Sequence, residues 1–302
     1  MFKSLTLHLR RTTAVSVIAI AASALTANAQ LLWRISGNGL EKPSYIFGTH
    51  HCAPASTADS TTGFAEALQS VEQVYGEIEM AKMASPDIQQ YMASVIMAPA
   101  DSTLDKVLTP EQIAQVNEYL GKITGGMPLT TASFNSMRPA MLSNTISMLL
   151  MKQILPDFNP LQTLDGSIQQ KALAMGKTIG GMETPEFQIN VLFGSPISQQ
   201  AEALIRNIES TDDPFESARR MTAAYLSGDL ETLYGIIIDP DKGMTGQEAD
   251  TLIYNRNEAW IEFLMGMLPT TTMMIVVGAG HLPGERGVIN LLRKAGYEVT
   301  PA

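Results

Sequence analysis

The sequence predicts an α/β fold in which a core sheet carries a large helical insertion. Three observations lead there. Met273 to Val277 is an unbroken apolar run rich in branched residues, the pattern of a strand buried on both faces. Ser44 to Phe47 is a second apolar strand near the other end. It runs into Gly48-Thr49-His50-His51, much as the first runs into Gly278-Ala279-Gly280-His281. Between the two, most of the chain reads as helices, so strands at both ends bracket a helical middle.

Taken in order, residues 1–29 have the pattern of a secretory signal. Lys3, Arg10 and Arg11 form a basic leader, and Ala14 to Leu25 is apolar but too short to span a bilayer. Ala27-Asn28-Ala29 fits the small-x-small cleavage rule. The expectation is cleavage near Ala29, a periplasmic or secreted product without a stable membrane anchor, and one domain over residues 30–302. Leu31 to Gly37 then reads as a strand that turns through Asn38-Gly39, a hairpin signal, into Ser44 to Phe47.

Thr61 to Ser70 is a short helix, followed by a strand from Val71 to Glu79 with Val74 and Ile78 as its apolar positions. Pro86 and Pro110 stand at first helical turns, the second capped by Thr109. Met137 to Ile154 is a long apolar helix, whose Met137, Met141, Met148 and Met151 read as core filling rather than a copper(I) site. The helix Asp165 to Ala174 leads to the strand Lys177 to Met182. Helices follow over Pro185 to Phe193, Ile197 to Ile208, Asp213 to Ser227, from Gly228 onward, and Asp250 to Leu268. Asp239 to Gly243 has calcium-loop character, but its glycine comes fifth rather than sixth and Asp250 stands where glutamate is required. Beyond the buried strand, Pro283 to Arg286 opens a helix with Val288, Leu291, Leu292 and Ala295 on one face. Gly296 closes it, and Tyr297 begins a last strand.

Charge and histidine usage narrow the function. The net charge is −10, with 20 basic and 30 acidic residues, and it falls to −13 without the three basic residues of the leader. Such an acidic chain is a poor candidate for binding nucleic acid or anionic lipid, since both need a basic surface. Of the four histidines His8 lies in the leader, so His50, His51 and His281 remain, all at strand-ending Gly-x-x-His sites. Ligands bind beyond the carboxyl ends of strands in open α/β sheets, and those histidines stand there together with Glu77, Glu79 and Glu183. Two imidazoles and one or two carboxylates are a usual ligand set for a divalent ion such as zinc, manganese, cobalt or iron(II). Gly48 and Gly278 let the backbone turn and keep space open before the imidazoles. Glu79 reads equally as a solvated charge and Glu183 as a helix cap. Cys52, the only cysteine, reads as a small buried residue, although its place beside His51 would also suit a metal ligand.

Leu32-Trp-Arg-Ile-Ser, Tyr45-Ile-Phe-Gly-Thr-His-His, Leu164-Asp-Gly, Gly176-Lys-Thr-Ile-Gly-Gly-Met-Glu-Thr, Gly228-Asp-Leu, Arg256-Asn257 and Val277-Gly-Ala-Gly-His-Leu-Pro-Gly together resemble the TraB/GumN (TraB/PrgY/GumN) family. That family is similar to the Tiki metalloproteases and, more distantly, to erythromycin esterases and a haem-binding lipoprotein. The resemblance implies a central mixed sheet of the Tiki type (EreA/ChaN-like). It also implies a metal-dependent, peptidase-like hydrolase with a peptide or small-molecule substrate. Carried over residue by residue, His51 and His281 would hold the metal. Glu77 would complete the coordination sphere or accept a proton from water, and Arg256 and Asn257 would polarise a carbonyl or stabilise an oxyanion. His50 would stand behind the site or substitute as a ligand. Glutamate at Glu79 departs from the family's aspartate. The alternative reading is a non-catalytic protein that sequesters a peptide or haem-like ligand on the same scaffold.

Overall fold

Apolar and branched residues build a single sheet in this computed structural model, which describes residues 30–160, 162–209, 213–239, 241 and 243–302. The leader expected over residues 1–29, and Pro240 and Lys242 of the calcium-like stretch, lie outside the described residues. Strands β1 (Leu32–Gly37) and β2 (Ser44–Thr49) form the predicted hairpin, with Leu32 opposite Phe47 and Ile35 opposite Ser44. Its turn carries Gly37, Asn38 and Gly39 at φ of 76°, 47° and 80°, the left-handed region that glycine and asparagine tolerate. Helices α1 (Ser56–Ser60) and α2 (Phe64–Ser70) lead to β3 (Gln73–Gly76).

Among the described residues, five α-helices join β3 to the next strand: α3 (Pro86–Ile96), α4 (Leu104–Val107), α5 (Pro110–Ile123), α6 (Pro139–Ile154) and α7 (Leu164–Ala174). After β4 (Thr178–Gly181) come α8 (Pro185–Phe193), α9 (Ile197–Glu209), α10 (Glu216–Leu226), α11 (Leu230–Ile237), α12 (Gly246–Ala249) and α13 (Asn255–Met267). Strand β5 (Met273–Gly278), α14 (Val288–Lys294) and β6 (Tyr297–Pro301) follow. Most of the helical material is thus divided between two connections, one on either side of β4.

Among the described residues the sheet has six strands in the order β4-β3-β5-β2-β1-β6. The strands β4, β3, β5 and β2 run parallel, while β1 is antiparallel to both β2 and β6. The expected mixed α/β sheet is present. Strand β5 lies in its middle, and Met273 to Val277 are fully buried, which accounts for an apolar run without alternation. A second core fills the helical part around Leu104, Leu120, Leu142 and Leu204. Met151 is buried in it and Met148 packs against it, while Met141 packs on a third cluster with Ile88 and Phe193, so these methionines serve as filling. Among the described residues no helix is long and apolar enough to cross a membrane.

Local chemistry accounts for the ends of elements. Thr109 and Gln112 form a reciprocal capping box at α5. Strand β3 stops at Gly76 rather than continuing to Glu79. Glu77 O still accepts from Glu183 N at 2.8 Å, and beyond it the Gln169 amide takes over, donating to Ile78 O and accepting from Met80 N at 2.9 Å each. Glu77 and Glu79 therefore do not alternate on a strand, contrary to the sequence reading. Helix α8 is capped by Thr184, which accepts from Phe187 N at 3.2 Å, and not by Glu183. The expected helix from Asp250 opens as a wider π turn over Asp250–Tyr254 before α13. Helix α14 starts at Val288 because Gly284, at φ 85°, turns the chain first.

Candidate functional site

Because β2, β3, β4 and β5 are parallel, their carboxyl ends lie on one edge of the sheet. His51, Glu77, Glu183 and His281 each follow one of those ends. Gly48 is needed for the approach of β2 to the turn carrying His281. A Cβ there would stand 2.8 Å from Leu282 Cδ1 and 3.2 Å from Ala279 Cβ.

His281 ends a short 3₁₀ turn and is buried. Asn257, fully buried on α13, donates its amide to His281 O at 3.2 Å and to Arg286 O at 2.8 Å. Its Oδ1 is left as acceptor, 2.7 Å from His281 Nδ1. That assigns the ring proton to Nδ1 and leaves the Nε2 lone pair facing the site. Trp260 packs against the ring at a tilt of 42°, with centroids 4.5 Å apart. Burial lowers the imidazole pKa to about 4, and the positive charges of Arg256 and His51 act in the same direction.

Glu77 is buried beside His281. Its Oε1 accepts from Gly278 N at 2.8 Å, and its Oε2 accepts from Arg256 Nη2 at 2.6 Å and Gln188 Nε2 at 2.9 Å. Burial disfavours the charged form, yet His281, Arg256, His51 and the Gly278 N–H outweigh it and hold the pKa down to about 2. Glu183 is tied differently. Its two oxygens accept from Arg256 Nε at 2.7 Å and Nη2 at 2.9 Å, and Oε1 also accepts from Trp260 Nε1 at 2.9 Å. Arg256 thus bridges two buried carboxylates, while its Nη1 donates to Leu252 O at 2.9 Å and lies 3.3 Å from His281 Nε2.

His51 stands on the other side. Its Nδ1 lies 2.8 Å from Asp165 Oδ2, and the ring is 62 % exposed. The other oxygen of Asp165 accepts from Thr49 Oγ1 at 2.6 Å. The Asp165 carboxylate pulls the His51 pKa up to about 9, although solvent at so exposed a ring screens part of that pull. His50 accepts from Cys52 N at 3.2 Å and tilts against Tyr225, and burial lowers its pKa to about 4. Cys52 is a free thiol packed on the helical core, and burial raises its pKa to about 11, so it is no thiolate at neutral pH. Glu79 lies outside the cluster and pairs with Lys82 at 2.9 Å.

The groups converge over Gly278. An ideal Cβ there would stand 3.3 Å from Glu77 Oε1, 3.5 Å from His281 Cδ2 and 3.9 Å from His51 Nε2. Both imidazoles are held at Nδ1, and His281 Nε2 lies 3.8 Å from Glu77 Oε1 and 3.3 Å from Arg256 Nη1. Two donors each about 2.1 Å from one ion at a tetrahedral angle would stand roughly 3.4 Å apart, so this pair is a few tenths of an ångström wide. The residue types are those that bind divalent ions. As placed, no group of three or more His, Cys, Asp or Glu among the described residues is close enough together to hold one.

Sequence reasoning missed Asp165, Thr49, Gln188 and Trp260. Asp165 stands in the Leu164-Asp-Gly motif, but a lone aspartate at a helix start carries no signal for what it faces across 114 residues. Gln188 and Trp260 are ordinary helical residues whose partners only the fold supplies.

The chain is 24 % identical over 315 residues to a metalloprotease TIKI homolog of Amphimedon queenslandica, covering 89 % of this chain and 60 % of that protein. It is 25 % identical over 320 residues to metalloprotease TIKI1 of Danio rerio, covering 90 % and 63 %. With human metalloprotease TIKI1 it shares 26 % over 318 residues, covering 90 % and 61 %. It therefore spans about three-fifths of the length of these curated relatives. No solved structure matches it. The TraB/PrgY/gumN family matches residues 31–301, nearly everything beyond the leader-like stretch, and the chain belongs to that family.

Proposed function

We propose that this chain is an exported, metal-dependent hydrolase acting on a peptide or a small-molecule ester or amide. The observation that carries the reading is the arrangement over Gly278, where the Nε2 edges of two imidazoles and a buried carboxylate face one space. The names of the relatives support peptides as the substrate class, the basic-apolar pattern of residues 1–29 supports export, and the mixed sheet suits a Tiki-type (EreA/ChaN-like) architecture.

His51 and His281 would hold the ion through Nε2, with Glu77 as the third donor. Zinc, manganese, cobalt and iron(II) all suit such a set. When bound, the ion supplies Lewis acidity toward a carbonyl and toward water. Glu77 is ionised throughout the neutral range, which suits it better to holding a cation than to accepting a proton. Asn257 keeps His281 in the Nδ1–H form. Arg256, with Nη1 turned into the site, is placed to stabilise negative charge on a substrate oxygen. Glu183 and Trp260 lock that guanidinium from behind, so Glu183 serves Arg256 and not the ion.

The 3.3 Å contact between Arg256 Nη1 and His281 Nε2 favours a second reading, in which the guanidinium keeps the place of an ion and the protein binds a peptide or haem-like ligand without turning it over. Metal analysis by mass spectrometry on residues 30–302, beside the His51→Ala/His281→Ala double variant, separates the two. Stoichiometric metal in the wild type, lost in the variant and accompanied by peptide or ester hydrolysis, is the expected result. No uptake after reconstitution would overturn the hydrolase reading, and an intense Soret band in the protein as purified would identify haem.

A further inference from the structure

The two imidazoles are held by the same device from opposite sides. His281 is gripped at Nδ1 by Asn257, from a helix packed on the sheet, and His51 is gripped at Nδ1 by Asp165, the second residue of α7. Leu164, Ile168 and Ala172 anchor α7 in the main core, and Thr163 caps it by accepting from Gly166 N, so Asp165 has a fixed base. Thr49, the last residue of β2, donates to Oδ1 at 2.6 Å and thereby aims Oδ2 at His51. Asp165 is 6 % exposed, whereas the ring it holds is largely in solvent. Burying a carboxylate costs several kcal/mol of desolvation, and an apolar residue of similar volume would serve packing as well or better. A buried charge spent on an exposed ring is poorly explained by stability. Ligating histidines ordinarily have their other nitrogen held by such a partner, which fixes tautomer and ring plane.

We infer that Asp165, aligned by Thr49, is a positioning residue that turns Nε2 of His51 toward the space shared with Glu77 and His281. The inference rests on the metal-dependent reading for its purpose, but its geometry is testable without it.

The test uses residues 30–302 as wild type, Asp165→Leu, Asp165→Asn and Thr49→Val. Zinc and manganese salts alone are titrated calorimetrically at one pH. In parallel, nitrogen-15 spectra of the metal-free chains, recorded at alkaline pH where the rings are neutral, report the tautomer of His51. We expect Asp165→Leu to weaken metal binding about 10- to 100-fold. Asp165→Asn, which keeps an acceptor, should be intermediate, and Thr49→Val should lose least. The Nδ1–H form of His51 should dominate in the wild type and give way to a mixture in Asp165→Leu. Wild-type affinity together with an unchanged tautomer population in Asp165→Leu would overturn the inference. If that variant does not fold, the same two readings on Asp165→Asn decide, unchanged values again overturning it. If no chain binds metal, the hydrolase reading fails separately and the tautomer spectra alone judge Asp165.

Discussion

Arg256 Nη2 and Glu77 Oε2 lie 2.6 Å apart, with side chains 6 % and 8 % exposed, and the same guanidinium holds Glu183 on its other edge. One cation thus compensates two carboxylates at the mouth of β3 and β4. Removing one partner of a buried ion pair costs about 3–5 kcal/mol, because the remaining charge stays buried without compensation. Arg256→Ala is therefore expected to lower stability by about that amount, read as a drop in the denaturant midpoint at constant slope. Glu183→Gln, which keeps the shape and leaves Arg256 paired with Glu77, should cost less. Equal losses in the two variants would contradict the bridging role.

Gly278→Ala probes the space itself. The backbone there is at φ −53°, which alanine accepts, so the substitution adds a methyl group without backbone strain. That methyl would come within 3.3 Å of Glu77 Oε1 and enter the volume between the imidazoles. The expected outcome is a folded protein with a thermal midpoint near that of the wild type and a large loss of metal uptake and hydrolysis. Unimpaired uptake would place the site elsewhere.

Asn257→Ala should destabilise by about 2–3 kcal/mol, since it takes the partner from His281 O, from the half-buried Arg286 O and from His281 Nδ1. Asn257→Asp removes the donor to His281 O and Arg286 O while keeping the acceptor for Nδ1. It should retain the His281 tautomer at a cost in stability, a separation that chemical denaturation and nitrogen-15 spectra would resolve.

Stability of the metal-free protein should peak near pH 6.5. His50 and His281 have pKa values lowered from 6.5 to about 4, so between those values the unfolded chain binds protons that the folded chain refuses, and stability falls as pH drops. Glu77, lowered from 4.5 to about 2, adds a further loss as pH falls through that range. His51 is raised from 6.5 to about 9, so its contribution is complete below 6.5 and disappears as pH rises through 9. The alkaline arm should be the shallower one, because His51 is exposed. Calorimetric melting points from pH 4 to pH 9 in the presence of a chelator test this, and a flat profile would contradict it.

How far the sequence reached depended on whether a property was local. Strand β5, the Asn38-Gly39 hairpin, the Thr109 cap and the helix over Pro185–Phe193 were legible because period, turn chemistry and capping act within a few residues. The pairing of two Gly-x-x-His motifs was legible because so few histidines remain. The end of β3 was not, since Gln169, about 90 residues away, replaces the ladder there. Glu183 could be located but not given a partner, because Arg256 lies 73 positions further on. Asp165 was quoted within a motif, and nothing near it in the chain reveals that it faces a histidine.

The central place of β5 also governs how the molecule can assemble. Met273 N donates to Ser44 Oγ across 229 residues, and β5 separates β2 from β3 although both are made far earlier. Until β5 arrives, β2 and β3 each present an unpaired edge, and closing so large a loop delays the reward of pairing. The sheet therefore cannot close before β5 is made, and truncation just before Met273 should leave two separate fragments of sheet with no site between them.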